Sequence, residues 1–258
     1  ENFTSLRLSV SASPDRVAFN AETVSVQSDG TVRNSGINLE ITAGSPAAAP
    51  GRPSGAAYSD TSVFMAGTCS IKVVLFESNG TLDLNSETWS APRIAQVKDQ
   101  ISAGVKWWED MYDKQGYAGD LKFNIDFTYA DNPFSTKYEP ISRGAMSDYL
   151  WINEFLVSQG YSYASNYIDN MEQNTRYNDD LRKQNGTDWA FTIYVADSYA
   201  DGDGMFADGY FGYAYFNGPY LHMTYDNDGW GINDMQMVVA HEMGHIFGAL
   251  DEYEGNGN

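Results

Sequence analysis

Two histidines and one glutamate near the end of this sequence have the types and the spacing of a metal site. His241 and His245 are four residues apart, so on a helix their imidazoles lie one turn apart on one face. Two neutral imidazoles in this arrangement can bind one zinc ion. Glu242 follows the first histidine, which places a carboxylate near the metal without making it a ligand. This position suits a general base that accepts a proton from water and passes it to a leaving amine.

A catalytic zinc needs a third protein ligand, and the sequence offers few. On a straight helix, Asp251 would lie about 9 Å beyond His245 along the axis, too far to share the metal. The chain must therefore turn back, and Gly248 permits this because glycine adopts a positive φ without strain. Asp251 is the predicted third ligand and Glu252 is the alternative. His222 is expected to be a hydrogen-bonded histidine of the core or the cleft side rather than a ligand.

Residues 241–253 resemble the metzincin signature H-E-x-x-H-x-x-G-x-x-H/D, in the version with aspartate as the third ligand. The Asp-Glu-Tyr continuation is similar to the IgA-peptidase type of metallopeptidase. This resemblance implies a secreted or cell-surface, zinc-dependent endopeptidase that hydrolyses peptide bonds with Glu242 as the general base. The zinc ligands that it implies are His241, His245 and Asp251.

The sequence departs from the metzincin pattern after the motif. Metzincins have a methionine-containing turn beneath the zinc, downstream of the ligands, whereas the last methionine here is Met243, inside the motif. We therefore expect the lower subdomain and the lower wall of the specificity pocket to be missing from this chain. A companion fragment of the same precursor, C-terminal to Asn258, would then be a partner alongside the protein or peptide substrate.

Two loops and one cysteine give weaker signals. Residues 201–204 and 226–229 are acidic and contain glycine, which suits Ca²⁺, but neither has the ligand spacing of an EF-hand. Ordinary turn chemistry is the preferred interpretation of both loops, and calcium is a weak second candidate cofactor after zinc. Cys69, the single cysteine, is expected to be a buried thiol, with a thiolate that caps the zinc as the alternative.

Hydrophobic periodicity predicts the elements that must position these residues. Helices are predicted at 91–114, 147–159, 165–184 and 234–247, and strands at 71–76, 121–129 and 189–196. Asn217-Gly218 is a hairpin signal between strands at 210–216 and 219–225. Asn233 and Gln236 predict a capping box at the start of the last helix. The residues predicted for the core face of that helix are Val239, Met243, Ile246 and Leu250.

This order of elements predicts an α/β (α+β) fold of the zincin/metzincin type. It would comprise a twisted mixed sheet with an antiparallel edge strand, a backing helix and an active-site helix. Residues 1–43 are interpreted as a β-rich module or propeptide-like region, and 44–68 as a Pro/Ala/Gly-rich linker. Residues 69–258 would form the catalytic domain, as an upper subdomain whose edge strand at 210–216 binds extended substrate.

Composition excludes several functional classes. The net charge is −20, from 15 basic and 35 acidic residues, which argues against binding to nucleic acid or to anionic membranes. No apolar run reaches the length of about 18 residues that a membrane span needs, so we expect none. Hydrophobic residues make up 42% of the chain, which is ample for a core.

Two other functions stay open at this point. The first is a catalytically inactive structural or adhesive surface protein that uses a zincin-like domain as a scaffold. The expected lack of a lower subdomain and the β-rich N-terminal region favour it, whereas the intact ligands and Glu242 oppose it. The second is a zinc hydrolase that acts on a non-peptide amide, which no feature of the sequence favours.

Overall fold

The computed structural model describes residues 3–13, 16–26, 32–42, 52–53 and 55–251 of the chain. The first three ranges are the strands β1 (Phe3–Ser13), β2 (Arg16–Val26) and β3 (Val32–Thr42). They form an antiparallel sheet of order β1-β2-β3. The described part of the region predicted to be β-rich thus consists of three long strands.

A six-stranded mixed sheet lies at the centre of the part described between residues 55 and 251. Its strands are β4 (Gly67–Ser78), β5 (Leu121–Phe127), β6 (Asn132–Thr136), β7 (Trp189–Ala196), β8 (Gly212–Ala214) and β9 (Tyr220–Thr224). The order is β5-β4-β7-β9-β8, and β6 also pairs with β4. Every pairing is parallel except that of β8 with β9. The predicted mixed sheet with an antiparallel edge strand is confirmed.

Five α-helices occur in the described part of the chain. They are α1 (Ala91–Gln115), α2 (Thr128–Asp131), α3 (Tyr149–Ser158), α4 (Tyr167–Asn185) and α5 (Met235–Ile246). The four predicted helices are confirmed to within two residues at each end.

The short helix α2 was not predicted, and it ends β5 earlier than the alternating pattern indicates. The amide and the hydroxyl of Thr128 both donate to Asp126 Oδ1, at 2.8 and 2.6 Å. This local side-chain acceptor competes with the strand ladder and turns the chain. Tyr129, predicted as the last strand residue, therefore lies in α2.

Each face of the six-stranded sheet is covered by helices. On one face α1 and α5 bury apolar side chains against β4, β7 and β9, including Val105, Val239 and Met243. On the other face α3 and α4 do the same through aromatic residues such as Trp151 and Phe155. The strand β7 is buried along its whole length, which explains its continuous apolar sequence. The described chain between 55 and 251 is thus a three-layer α/β structure.

The last part of the predicted linker packs against this structure. Arg52 makes an ion pair of 2.6 Å with Asp179 on α4, and the Arg182 guanidinium donates to the Asp60 carbonyl at 2.6 Å. Thr61 and Ser62 are buried. This segment therefore belongs with the sheet and its helices, although its composition is that of a linker.

Candidate metal centre

The helix α5 carries both histidines and is anchored by the face opposite to them. Val239, Met243 and Ile246 on that face are fully buried, as predicted. Leu250, which was predicted for the same face, is 55% exposed. That prediction is wrong because the helix ends at Ile246 and the chain reverses before Leu250.

The predicted capping box at the start of α5 is also wrong. The N-cap is Asp234, whose side chain makes no capping hydrogen bond, and Asn233 lies in a preceding 3₁₀ turn. The backbone amide of Gln236 instead donates to Gln100 Oε1 on α1, at 3.1 Å. A tertiary contact therefore satisfies a backbone donor that the local sequence was expected to satisfy.

The chain reverses directly after α5, at the predicted glycine. Gly248 has a φ of 83°, in the left-handed region that glycine favours. Its amide donates to the His245 carbonyl at 2.9 Å, and the Ala249 amide donates to the Gly244 carbonyl at 2.9 Å. These bonds close the end of the helix and direct the following residues back toward the histidines.

The reversal brings three potential ligand atoms together. Asp251 Oδ1 lies 3.1 Å from His241 Nε2 and 3.2 Å from His245 Nε2. The two Nε2 atoms are 3.1 Å apart. Bonds of about 2.0–2.1 Å in a tetrahedral zinc site correspond to ligand atoms about 3.3 Å apart. The three atoms thus fit one face of such a tetrahedron and leave its fourth position open.

A hydrogen bond to the backbone fixes the orientation of the His245 ring. Its Nδ1 lies 2.8 Å from the carbonyl oxygen of Ala249, which can only accept. The hydrogen is therefore on Nδ1, and the lone pair of Nε2 is directed at the ligand group. Burial and the neighbouring His245 both lower the pKa of His241, which favours the neutral imidazole that a metal requires.

Glu242 lies beside this group without joining it. Its side chain is 7% exposed, and burial, assisted by the charge of Asp251, raises its pKa to about 7. A methyl group added at Gly212 of β8 would lie 3.7 Å from Glu242 Oε1. The carboxyl group is therefore packed against the edge strand, and it can take up or release a proton near neutral pH.

A cavity of about 790 Å³ borders the ligand group on the side of α1. His241, His245 and Asp251 line it together with the apolar side chains of Trp107 and Met237. Glu242 faces β8 instead. The three ligand residues thus border a largely apolar cavity, and Glu242 lies on the side of the edge strand.

The other predicted site residues lie elsewhere or outside the described range. Cys69 is fully buried in β4, its pKa is raised by burial, and it is not part of the ligand group. This agrees with the buried-thiol interpretation and not with a zinc-capping thiolate. His222 is fully buried and hydrogen-bonded to Tyr213, as expected for a core histidine. Glu252, the alternative third ligand, and Tyr253, the last residue of the resembling stretch, lie outside the described residues.

The two acidic loops proposed for calcium lie next to each other. The Asp228 amide donates to the Gly204 carbonyl at 3.4 Å. Asp201 Oδ1 accepts from the amides of Asp203 and Gly204, which is turn chemistry. Among the described residues, only His241, His245 and Asp251 converge as a group of three ligating side chains. Calcium binding at these loops stays a prediction.

Sequence reasoning missed two residues that shape the centre. Gly212 lets α5 approach β8 closely, since a Cβ there would lie 3.1 Å from Val238 Cγ1, and a glycine inside a predicted strand was a usable sign of such an approach. The backbone amide of Asn217, in the β8–β9 turn, donates to the His245 carbonyl at 3.1 Å, and the Asn217 side chain lies against Gly248. No local pattern marks the role of Asn217, because its partners are distant in sequence.

Comparison with known proteins does not assign the chain to a family. No protein-family model matches it, and neither a curated protein nor a solved structure shows significant similarity to it. No helix in the described residues is long and apolar enough to cross a membrane. A function for this chain has to be inferred from the chemistry of its site.

Proposed function

We propose that this chain is a zinc-dependent endopeptidase of the metzincin type, built on a zincin-like fold. The observation that carries this proposal is the triangle of His241 Nε2, His245 Nε2 and Asp251 Oδ1, with sides of 3.1–3.2 Å. Two imidazoles and one carboxylate with an open fourth position are the donor set of a catalytic zinc site. Secretion and a companion fragment of the same precursor as a partner are parts of the same proposal.

The zinc would supply Lewis acidity to the scissile carbonyl and to the attacking water. The chain supplies the proton transfer. Glu242 accepts the proton of the attacking water at its carboxylate and delivers it to the nitrogen of the leaving amine. Its raised pKa supports both steps, because the proton is neither held too tightly nor released too early near pH 7. His245 keeps its orientation through the bond from Nδ1 to the Ala249 carbonyl.

The edge strand supports a peptide as the substrate. Gly212–Ala214 pairs with β9 on one side only, among the described strands. The backbone groups of its outer side are placed to bind an extended peptide by strand addition. Since a methyl group at Gly212 would lie 3.7 Å from Glu242 Oε1, such a peptide would pass close to the base. This favours an endopeptidase over a hydrolase of small amides.

The decisive experiment compares wild type with Glu242→Gln for zinc content and for hydrolysis of a quenched fluorescent peptide library. We expect one zinc per chain in both proteins and a loss of hydrolysis of about 10²–10⁴-fold in the variant, the usual contribution of a general base. Glu172→Gln, at a partly exposed glutamate on α4, is the matched control and should keep full activity.

Two outcomes would contradict the proposal. Full activity of Glu242→Gln would show that Glu242 is not the base. A wild-type protein that neither binds zinc nor cleaves any peptide, with or without a companion fragment, would favour the structural or adhesive scaffold.

A further inference from the structure

A buried polar group lies beneath the edge strand, on the sheet face opposite Glu242. Successive residues of a strand point to opposite faces, so Tyr213 points away from the face on which Gly212 meets Glu242. The Tyr213 hydroxyl lies 3.2 Å from the Ala145 carbonyl oxygen and 2.6 Å from Asp148 Oδ2, and it donates to the nearer and charged acceptor, Asp148. It lies 3.0 Å from Nδ1 of His222, the residue opposite Tyr213 on β9.

The direction of these hydrogen bonds follows from the chemistry of the three groups. Asp148 is fully buried at the N-cap of α3, and a buried carboxylate needs donors. Tyr213 gives its only proton to Asp148, so Nδ1 of His222 must donate to the Tyr213 oxygen. Tyr220, on β9, donates to the same Asp148 oxygen at 2.7 Å. Asp148 Oδ2 thus accepts hydrogen bonds from two tyrosines, of which only Tyr213 belongs to β8.

The strand β8 needs such a connection. It has three residues and pairs with β9 alone among the described strands, and an edge segment held by few backbone hydrogen bonds opens easily. On the other face Gly212 contributes no side chain, and Ala214 contributes only a methyl group packed against the core. The bond from Tyr213 to Asp148 is therefore the main polar link between β8 and the helical layer of α3.

We propose that Tyr213 is a positioning residue that, through Asp148 and His222, holds β8 where a peptide can pair with it beside Glu242. The binding of a peptide by β8 rests on the proposed function, whereas the positioning of β8 by Tyr213 does not. Loss of the Tyr213 hydroxyl should loosen β8 and weaken peptide binding while leaving the metal ligands and Glu242 unchanged.

The test compares Tyr213→Phe with Tyr220→Phe, which removes the other hydroxyl from the same Asp148 oxygen but leaves β8 linked. The first measurement is hydrogen–deuterium exchange of the amides in 211–215. We expect exchange at least about 10-fold faster in Tyr213→Phe only, as for the loss of one hydrogen bond to a buried carboxylate. Asp148→Asn keeps an acceptor oxygen and should give a smaller effect of the same kind.

The second measurement is binding of an uncleaved peptide to each variant in the Glu242→Gln background, together with KM and kcat in the active background. We expect about 10-fold weaker binding and a matching rise in KM for Tyr213→Phe, with kcat nearly unchanged. Equal effects of Tyr213→Phe and Tyr220→Phe on exchange would overturn the proposal. Exchange requires neither zinc nor turnover, so a failure of the endopeptidase proposal would be recognised separately. If Tyr213→Phe does not fold, Asp148→Asn decides by the same two readouts.

Discussion

At the scale of single residues, the ligand group depends on one carboxylate from outside the helix. His241 and His245 are held by α5, but Asp251 reaches them only because the chain reverses at Gly248. A carboxylate adds negative charge at the metal, which a third imidazole would not. Asp251 is the proposed third ligand, and Glu252, also a carboxylate, is the alternative.

We expect Asp251→Asn to weaken zinc binding by more than about 100-fold, because even residues that only support a ligand contribute 10–100-fold. Competition with a chelator of known affinity measures this directly. Asp234→Asn, at the other end of α5, is the control and should bind zinc normally. Retained affinity in Asp251→Asn together with lost affinity in Glu252→Gln would assign the ligand to Glu252 instead.

At the scale of elements, the centre depends on how closely α1 and α5 approach. Gly104 lies in the buried face of α1, and a Cβ there would be 2.6 Å from the Gln236 carbonyl oxygen. It would also lie 2.9 Å from the Cβ of Val239. The helices can cross at this distance only because Gly104 has no side chain. The same crossing places Gln100 at the start of α5.

Gly104→Ala should therefore destabilise the fold by about 1–3 kcal/mol, the usual cost of overpacking, despite the better helix propensity of alanine. Denaturant unfolding measures the change. Gly244→Ala is the matched control on α5, where the new methyl group would make ordinary contacts of 3.6–3.7 Å. A Gly104→Ala protein as stable as wild type would show that α1 and α5 are less closely packed than described.

At the scale of the whole molecule, buried carboxyl groups set the pH dependence of stability. Burial, with smaller contributions from Glu87 and Glu77, raises the pKa of Glu139 to about 7. Burial likewise raises the pKa of Asp197 to about 6. Between the unfolded pKa and these values, the folded protein binds more protons than the unfolded chain. Stability is therefore lost as the pH rises from about 4.5 to 7.

Glu139→Gln should remove part of this loss. Between pH 5 and 8, the decrease in the free energy of unfolding should be smaller in the variant than in wild type by about 1–3 kcal/mol. Urea unfolding at several pH values measures it. Glu154→Gln is the control of opposite sign, because Lys137 and Thr136 overcome burial and lower the pKa of Glu154. Its effect should appear as the pH falls below about 4.5. An unchanged slope in Glu139→Gln would contradict the prediction.

The sequence by itself determined the features that depend on local periodicity and backbone freedom. The helical spacing of His241 and His245, the strand at 189–196 and the hairpin at Asn217-Gly218 were all predictable, because each follows from neighbours in the chain. The reversal at Gly248 was predictable as well, since only glycine adopts its φ of 83° without strain.

Only the tertiary structure decided the contacts between residues distant in sequence. Gln100, rather than a capping box at Asn233, accepts the hydrogen bond at the start of α5. Leu250 is exposed, and Glu242 lies on the side of Gly212. The fold also links Tyr213 to a buried carboxylate on another helix. Such contacts depend on where whole elements pack, and packing is governed by the volume and burial of many side chains at once. A local pattern can place a residue on a helix face, but the partner that meets it there comes from the fold.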